Sequence, residues 1–589
     1  MNFIQKINQF LIERYPTVWN TKLVWMISIS LLVHLLSFIA GIFAYSNPIK
    51  LQDQYVTSEY FSNGTILFHI IISVIMIVVW LFKMFQNNAF KNFYPMSKTQ
   101  LFMQFIQYIV IILFSTTFYI SYMFGVQTYI NSKYPDEAFA QWKETTNLGL
   151  AFMPQAPEKY SLPNRKFPDE FSNLFCETDR NKIDFSKPYY EAYGDVYQYN
   201  TLTTDTIHQK KNSQVEVVAL EVEQELFPVN IDDPKVATYE QFDGYVVVYY
   251  KKDYVDLSDV IKTTELSFYN FSSLATDSSV DFYNSYDMYG GLDYQNDKSQ
   301  DFEKRKYRLN KKIHSLLSTN DKAKVQEIMT DFMKLSKELN ITTNMSVEQW
   351  MPLVFNGSEH FLVKNYVSFS KEDLENKDVD AVYQNSYKEI FDKNRSKYIY
   401  SSQDLLNSIS AISSFKSLHV FTEYLSVYLW LSTIFSLLIF SFRVTNIRTI
   451  IFAGVSFGVI GLVLGLFSIG FGLLSPYDYY LYIFGFYLLV GLVILAIPII
   501  TSMNGSKNTS AVLMVMGICE IPFLVFGLLR YIAEVQTSIK ANADDMYSYY
   551  PTFLDNYSNE TISIIVFILS LIVLYFYISV VMKWKAATE

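Results

Sequence analysis

The sequence predicts a polytopic α-helical membrane protein with about eight transmembrane helices and a large mixed α/β extracytoplasmic domain inserted between spans three and four. Three observations predict it. Apolar runs of about 20 residues, enough to cross ~30 Å of hydrocarbon, recur near residues 23–45, 65–85, 103–124, 424–443, 449–473, 479–500, 511–532 and 562–582. About 290 polar residues separate the third run from the fourth. The composition, 50% hydrophobic with a mean hydropathy of +0.13, is too apolar for a soluble chain of 589 residues and far from that of a disordered one.

Residues 1–22 form an N-terminal cytoplasmic segment. Phe3, Ile4, Ile7, Phe10 and Leu11 fall close to one helical face, which predicts a short amphipathic helix over residues 2–15, ended by Pro16. Such a helix lies in the inner headgroup layer or serves as an ordinary membrane-adjacent anchor. No signal-peptide pattern precedes span one, so it is expected to be retained. Residues 23–124 then carry spans one to three.

The basic residues that flank the spans set the orientation. Lys6, Arg14 and Lys22, then Lys83, Lys91 and Lys98, Arg443 and Arg448, Lys507, and Lys583 and Lys585 all fall on one side if there are eight spans. The opposite segments are poorer in Lys and Arg. Both termini are therefore expected in the cytoplasm, and residues 125–420 outside. Residues 131–420 hold 33 Lys and Arg against 45 Asp and Glu, a net −12, so the other residues sum to +2 of the total −10. An acidic outer domain on a slightly basic membrane part argues against nucleic-acid binding.

The outer domain begins irregularly. Pro135, Pro154, Pro157, Pro163, Pro168 and Pro188 make long regular elements unexpected over 130–190. Residues 215–223 and 244–250 read as strands, with 264–270 a third candidate. Helical periodicity takes over at 320–339, where Val325, Ile328, Met329, Phe332, Met333 and Leu335 share a stripe. Ser346 with Gln349, Ser370 with Asp373, and Ser401 with Asp404 resemble capping boxes that open further helices. From Gln403 no Pro or Gly interrupts the chain until the far end of span four. One continuous helix of about 40 residues would be about 60 Å long and could transmit movement; a helix bent near His419 is the alternative.

Residues 421–589 carry spans four to eight, short loops and the cytoplasmic C-terminus. Glu520 sits near the centre of span seven, two residues before Pro522. A carboxylate there costs at least ~2.5 kcal/mol, so it should face a partner or a water-filled cavity. It reads as a proton, cation or headgroup site, or a hinge, and equally as a protonated acid bonded to a Ser, Tyr or freed carbonyl. His34, in the middle of span one, is a candidate partner for it or a satisfied buried His. Gly454 with Gly458 and Gly461 with Gly465 make small-residue grooves for helix packing, within the chain or across a dimer.

Other chemistry is sparse. Cys176 and Cys519 belong to different parts, so no intrachain disulfide is expected. Asp287, Asp293, Asp297 and Asp301 lack the spacing of a calcium loop and read as a solvated acidic loop. The six His are too scattered for zinc. No catalytic residue, cofactor site or metal site is assigned.

Residues 86–100 link spans two and three on the inner side. In them Phe93, Tyr94, Pro95, Met96, Ser97 and Lys98 form a turn in which Pro95 ends one helix and Ser97 caps the next. Here the chain resembles permease subunits of the bacterial ABC-2 exporter type, in which a short cytoplasmic helix after span two ends in such a Pro-x-Ser-Lys/Arg turn. The N-terminal amphipathic segment fits the same family, and the resemblance covers residues 1–125. Eight spans, and an insertion after span three in place of one between spans one and two, depart from the family pattern.

The resemblance implies a bacterial inner-membrane subunit that docks a separate cytoplasmic ABC ATPase through residues 86–100. ATP would be used only through that partner, because the chain has no Gly-x-x-x-x-Gly-Lys-Ser/Thr loop of its own. It also implies a homodimer or a second permease subunit, and a periplasmic partner for residues 125–420. A non-transporting receptor or scaffold, whose outer domain binds a ligand or envelope component, is the alternative. A membrane enzyme using Glu520 on a lipid is a third.

Overall fold

The computed structural model describes residues 3–53, 58–86, 97–154, 174–192, 195–208, 233–242, 245–257, 312–313, 315–316, 319–355, 361, 365–375, 394–474, 479–501, 507–541 and 552–583. It divides into two compact units. One comprises Met1–Ser46, Glu59–Tyr129 and Ser417–Glu589, and the other Asn47–Ser58 and Ile130–Lys416. Among the described residues, eight helices are long and apolar enough to cross a membrane, so the protein is a multi-pass membrane protein.

The first unit opens with α1 (Phe3–Arg14), α2 (Pro16–Asn20) and α3 (Leu23–Ala44). Pro16 starts α2, where its missing N–H is no loss, and Lys22 turns the chain into α3 with a left-handed φ of 57°. Trp25 Nε1 donates to Asn8 Oδ1 at 3.0 Å, which ties α1 to the start of α3. Leu11 is buried, whereas Ile4, Phe10 and Ile12 stay exposed.

After α4 (Ser58–Ser62) come α5 (Thr65–Gln86), α6 (Lys98–Thr116) and α7 (Phe118–Lys133). The run expected as one span over 103–124 is thus two helices. The hydroxyls of Thr116 and Thr117 both bond carbonyls of the preceding turn, at 2.9 and 2.7 Å, which competes with the helical ladder there. α3 and α7 cross with their backbones in contact. A Cβ on Gly41 would overlap the Tyr122 carbonyl, and one on Gly125 the Phe38 carbonyl.

The second unit starts with α8 (Asp136–Phe152), a long helix where the prolines made none expected. Pro135 precedes the helix as its N-cap, a position where it obstructs nothing. Strands β1 (Phe175–Glu177), β2 (Tyr190–Ala192), β3 (Asp195–His208), β4 (Val236–Phe242) and β5 (Tyr245–Tyr254) form an antiparallel sheet in the order β1-β3-β5-β4, with β2 also on β3. The strand expected at 244–250 is β5. Those expected at 215–223 and 264–270, and the acidic loop with Asp287 to Asp301, lie outside the described residues.

Across the sheet Lys251 pairs with Glu177, both about nine-tenths buried, and Glu177 Oε1 accepts the Thr178 and Asp179 N–H groups at 3.0 and 2.9 Å. Beside it, burial pushes the Cys176 thiol up to about 12.

Helices α9 (Lys322–Glu338), α10 (Val347–Val354), α11 (Lys371–Glu375) and α12 (Ser402–Ser417) and the parallel pair β6 (Tyr366–Ser368) and β7 (Arg395–Ile399) complete this unit. The stripe on α9 is its core face: Val325, Met329 and Phe332 are fully buried, and Phe332 occupies the space above Gly149 of α8. The Ser346–Gln349 capping box opens α10, whose Trp350 donates to the Phe152 carbonyl at 3.0 Å. The segment Asn47–Ser58 belongs here too. Leu51 is fully buried, Gln52 donates to the Leu339 and Asn340 carbonyls at 3.0 and 3.1 Å, and Asn407 donates to the Gln52 carbonyl at 2.9 Å.

The long rod is not continuous. α12 ends at Ser417 and α13 (Val420–Val444) begins after His419, so the helix is interrupted at the position where the sequence offered the alternative to one rod. In the first unit Gln127 donates to the Leu418 carbonyl at 2.8 Å, which satisfies an acceptor that the break takes out of the helical ladder. α14 (Ile447–Leu474), α15 (Tyr479–Thr501), α16 (Lys507–Ala541) and α17 (Asn559–Lys583) follow. α16 is the hub: 61% of its apolar stretch is buried, against 6% for α14, and it packs on α13, α14, α15 and α17.

Candidate functional site

Glu520 lies in the middle of α16 and is 4% exposed. Helical spacing puts Gly517 one turn before it and Leu524 one turn after, and together these residues shape a seat between α15 and α17. On the α15 side, a Cβ on Gly491 would stand 2.6 Å from Glu520 Oε1, so the missing side chain is what admits the carboxyl. On the α17 side, a Cβ on Gly517 would stand 2.6 Å from the Tyr577 hydroxyl. Two glycines, Gly491 on α15 and Gly517 on α16 itself, thus admit two polar groups.

Tyr487 of α15 and Tyr577 of α17 are both near enough to feel the Glu520 charge. Among the described residues, Glu520 Oε2 and the Tyr577 hydroxyl have no hydrogen-bond partner, nor do the Ser432 and Ser436 hydroxyls of α13. No Lys, Arg or His among them pairs with Glu520. The adjacent Cys519 approaches Ser441 Oγ at 3.7 Å, and Pro522 lines a small cavity with Leu429, Trp430, Thr433 and Ser563. An acid placed this way can hold a proton or accept a hydrogen bond.

His34 is satisfied elsewhere, through Ser121 Oγ at 2.7 Å and the Phe114 carbonyl at 2.9 Å, so the Glu520–His34 pairing does not form. A second buried histidine of the membrane helices, His69 of α5, is one that sequence reasoning missed. His69 bonds Ser37 Oγ at 2.9 Å and the Tyr60 hydroxyl at 3.0 Å. Its position near the start of an apolar run was the available signal.

At the candidate docking turn, Phe93, Tyr94, Pro95 and Met96 lie outside the described residues. Ser97 accepts from Gln100 N at 3.2 Å, and Gln100 Oε1 accepts from Ser97 N at 2.9 Å, a complete capping box that opens α6. Lys98 Nζ sits 4.1 Å from the Tyr575 ring centroid and 5.0 Å from that of Phe576, both on α17.

A Cβ on Gly454, Gly458, Gly461 or Gly465 would meet nothing within 4 Å among the described residues. The intramolecular glycine crossing is instead Gly41 with Gly125, which are separated in sequence and form no repeat.

Among the described residues no group of His, Cys, Asp and Glu could hold a metal ion. Compared with protein-family models, with curated proteins and with solved structures, the chain matches none.

Proposed function

We propose that the protein is a permease-like transmembrane subunit of a bacterial ABC transporter, an exporter or a mechanical transmitter, working with a separate cytoplasmic ATPase. The observation that supports this most is the Ser97–Gln100 capping box, which starts α6 immediately after the segment 86–96. A helix start fixed so firmly gives a preceding docking segment a rigid base from which force can pass into the membrane.

Topology supports the same reading. Asn47–Ser58 follows the first membrane-length helix and Ile130–Lys416 the third, and both belong to one compact unit. This fits a topology in which α5 and α6 each cross the bilayer once and bring both segments to the same side. With the basic flanks inside, that side is extracytoplasmic, and the acidic unit meets its substrate or partner in the periplasm.

A photo-crosslinking residue at position 94 or 96, activated in intact membranes, tests the docking role. Capture of an ATPase carrying a phosphate-binding loop is the expected result. Capture of no ATPase from either position, with the protein correctly inserted, contradicts it and leaves a receptor or scaffold as the better account.

A further inference from the structure

We propose that Glu520 is a proton-binding site inside the membrane unit: a neutral carboxylic acid that exchanges its proton while seated between α15 and α17. Three observations carry this. The carboxyl is deeply buried in the most enclosed membrane-length helix, and no basic side chain among the described residues pairs with it. Ionised, it would bear the full cost of an uncompensated charge in an apolar surround, whereas the acid bears only that of a polar group.

The seat is also built for a carboxyl rather than left over. Gly491 clears the position of Oε1, and Gly517, one turn before Glu520, clears the position of the Tyr577 hydroxyl. Finally, Glu520 Oε2 and the Tyr577 hydroxyl are each buried and unpartnered among the described residues, so the acid has an oxygen free to carry a proton and a phenol on the neighbouring helix with its own hydrogen bond unmade.

Among the described residues, the titratable groups that sense the acid are the Tyr487 and Tyr577 hydroxyls, neutral at physiological pH. Cys519 approaches Ser441, and Arg443 of α13 lies close to Tyr108. A metal cation is a poorer occupant, because hard cations take six or more oxygens and one carboxylate with two phenols falls short.

The test is infrared spectroscopy of the full-length protein in lipid nanodiscs, with glutamate isotopically labelled at its carboxyl, comparing wild type with Glu520→Gln at pH 7. The expected difference is the loss of one protonated-carboxyl carbonyl band, which shifts in D2O because its proton exchanges. Loss of carboxylate bands instead, or bands that respond to sodium chloride but not to choline chloride, would overturn the proposal. A carbonyl band that never shifts in D2O would overturn it as well, by showing a sealed structural acid. If Glu520→Gln does not assemble, Gly491→Ala, which crowds the carboxyl, should move the same band without abolishing it, and an unmoved band would contradict the assignment.

Discussion

The Glu520 carboxyl fills the notch left by Gly491, where a Cβ would stand 2.6 Å from Oε1 and would also overlap the Leu524 side chain. Both blocking atoms are side-chain ends, so the hub must repack around a methyl group rather than part its backbones. Gly491→Ala should therefore cost about 1–3 kcal/mol, the usual penalty of overpacking a close-packed interior. Thermal unfolding of the purified protein in a mild detergent measures it. Gly458→Ala, whose Cβ would meet nothing within 4 Å, should leave the midpoint unchanged in the same assay.

The crossing of α3 and α7 is more demanding, because backbone rather than side chain blocks the new methyl group. Ala at Gly41 or Gly125 should lower the unfolding midpoint by at least as much as Ala at Gly491. The double variant should cost less than the two singles together, since either methyl alone already forces the helices apart.

In the sheet, Lys251→Met strands the buried Glu177 carboxylate and should destabilise the second unit by about 3–5 kcal/mol. Adding Glu177→Gln should recover much of that, because the remaining group is neutral. Unfolding followed by a probe in this unit, across the four members of the cycle, gives the coupling. A cost for Lys251→Met no larger than for the exposed Lys252→Met would contradict it.

Cys176 should be slow to alkylate. With its thiol held at about 12, roughly one molecule in ten thousand carries the thiolate at pH 8. Labelling by iodoacetamide should rise about tenfold per pH unit well beyond pH 9, where an ordinary thiol levels off. The raised value also sets a sign. Between about 9 and 12 the folded state keeps a proton that the unfolded state has lost, so the contribution to stability present below pH 9 declines as pH rises.

Much of the architecture was legible in the sequence because its signals are local. A membrane-length helix needs only an unbroken apolar run, and seven of the eight expected runs fall on such helices, while the third, 103–124, is shared between α6 and α7. The α9 stripe and the Ser346–Gln349 box are set within a few residues of themselves. What escaped was set by distant neighbours. Gly41 needs the Tyr122 backbone, Gly491 needs Glu520, and Gln52 needs the Leu339 carbonyl. The regular Gly454–Gly465 stripe drew attention instead, although nothing among the described residues packs on it. The break after Ser417 carries neither Pro nor Gly, so no residue marks it, and Gln127 supplies the hydrogen bond that accommodates it.

The central claim is that this chain works with a separate ATPase, and affinity purification from gently solubilised native membranes tests it most directly. The account predicts a stoichiometric ABC ATPase among the co-eluting proteins, lost when residues 93–98 are replaced although the membrane helices remain assembled. Recovery of the intact protein with no ATPase, or with one whose binding ignores that replacement, would contradict it.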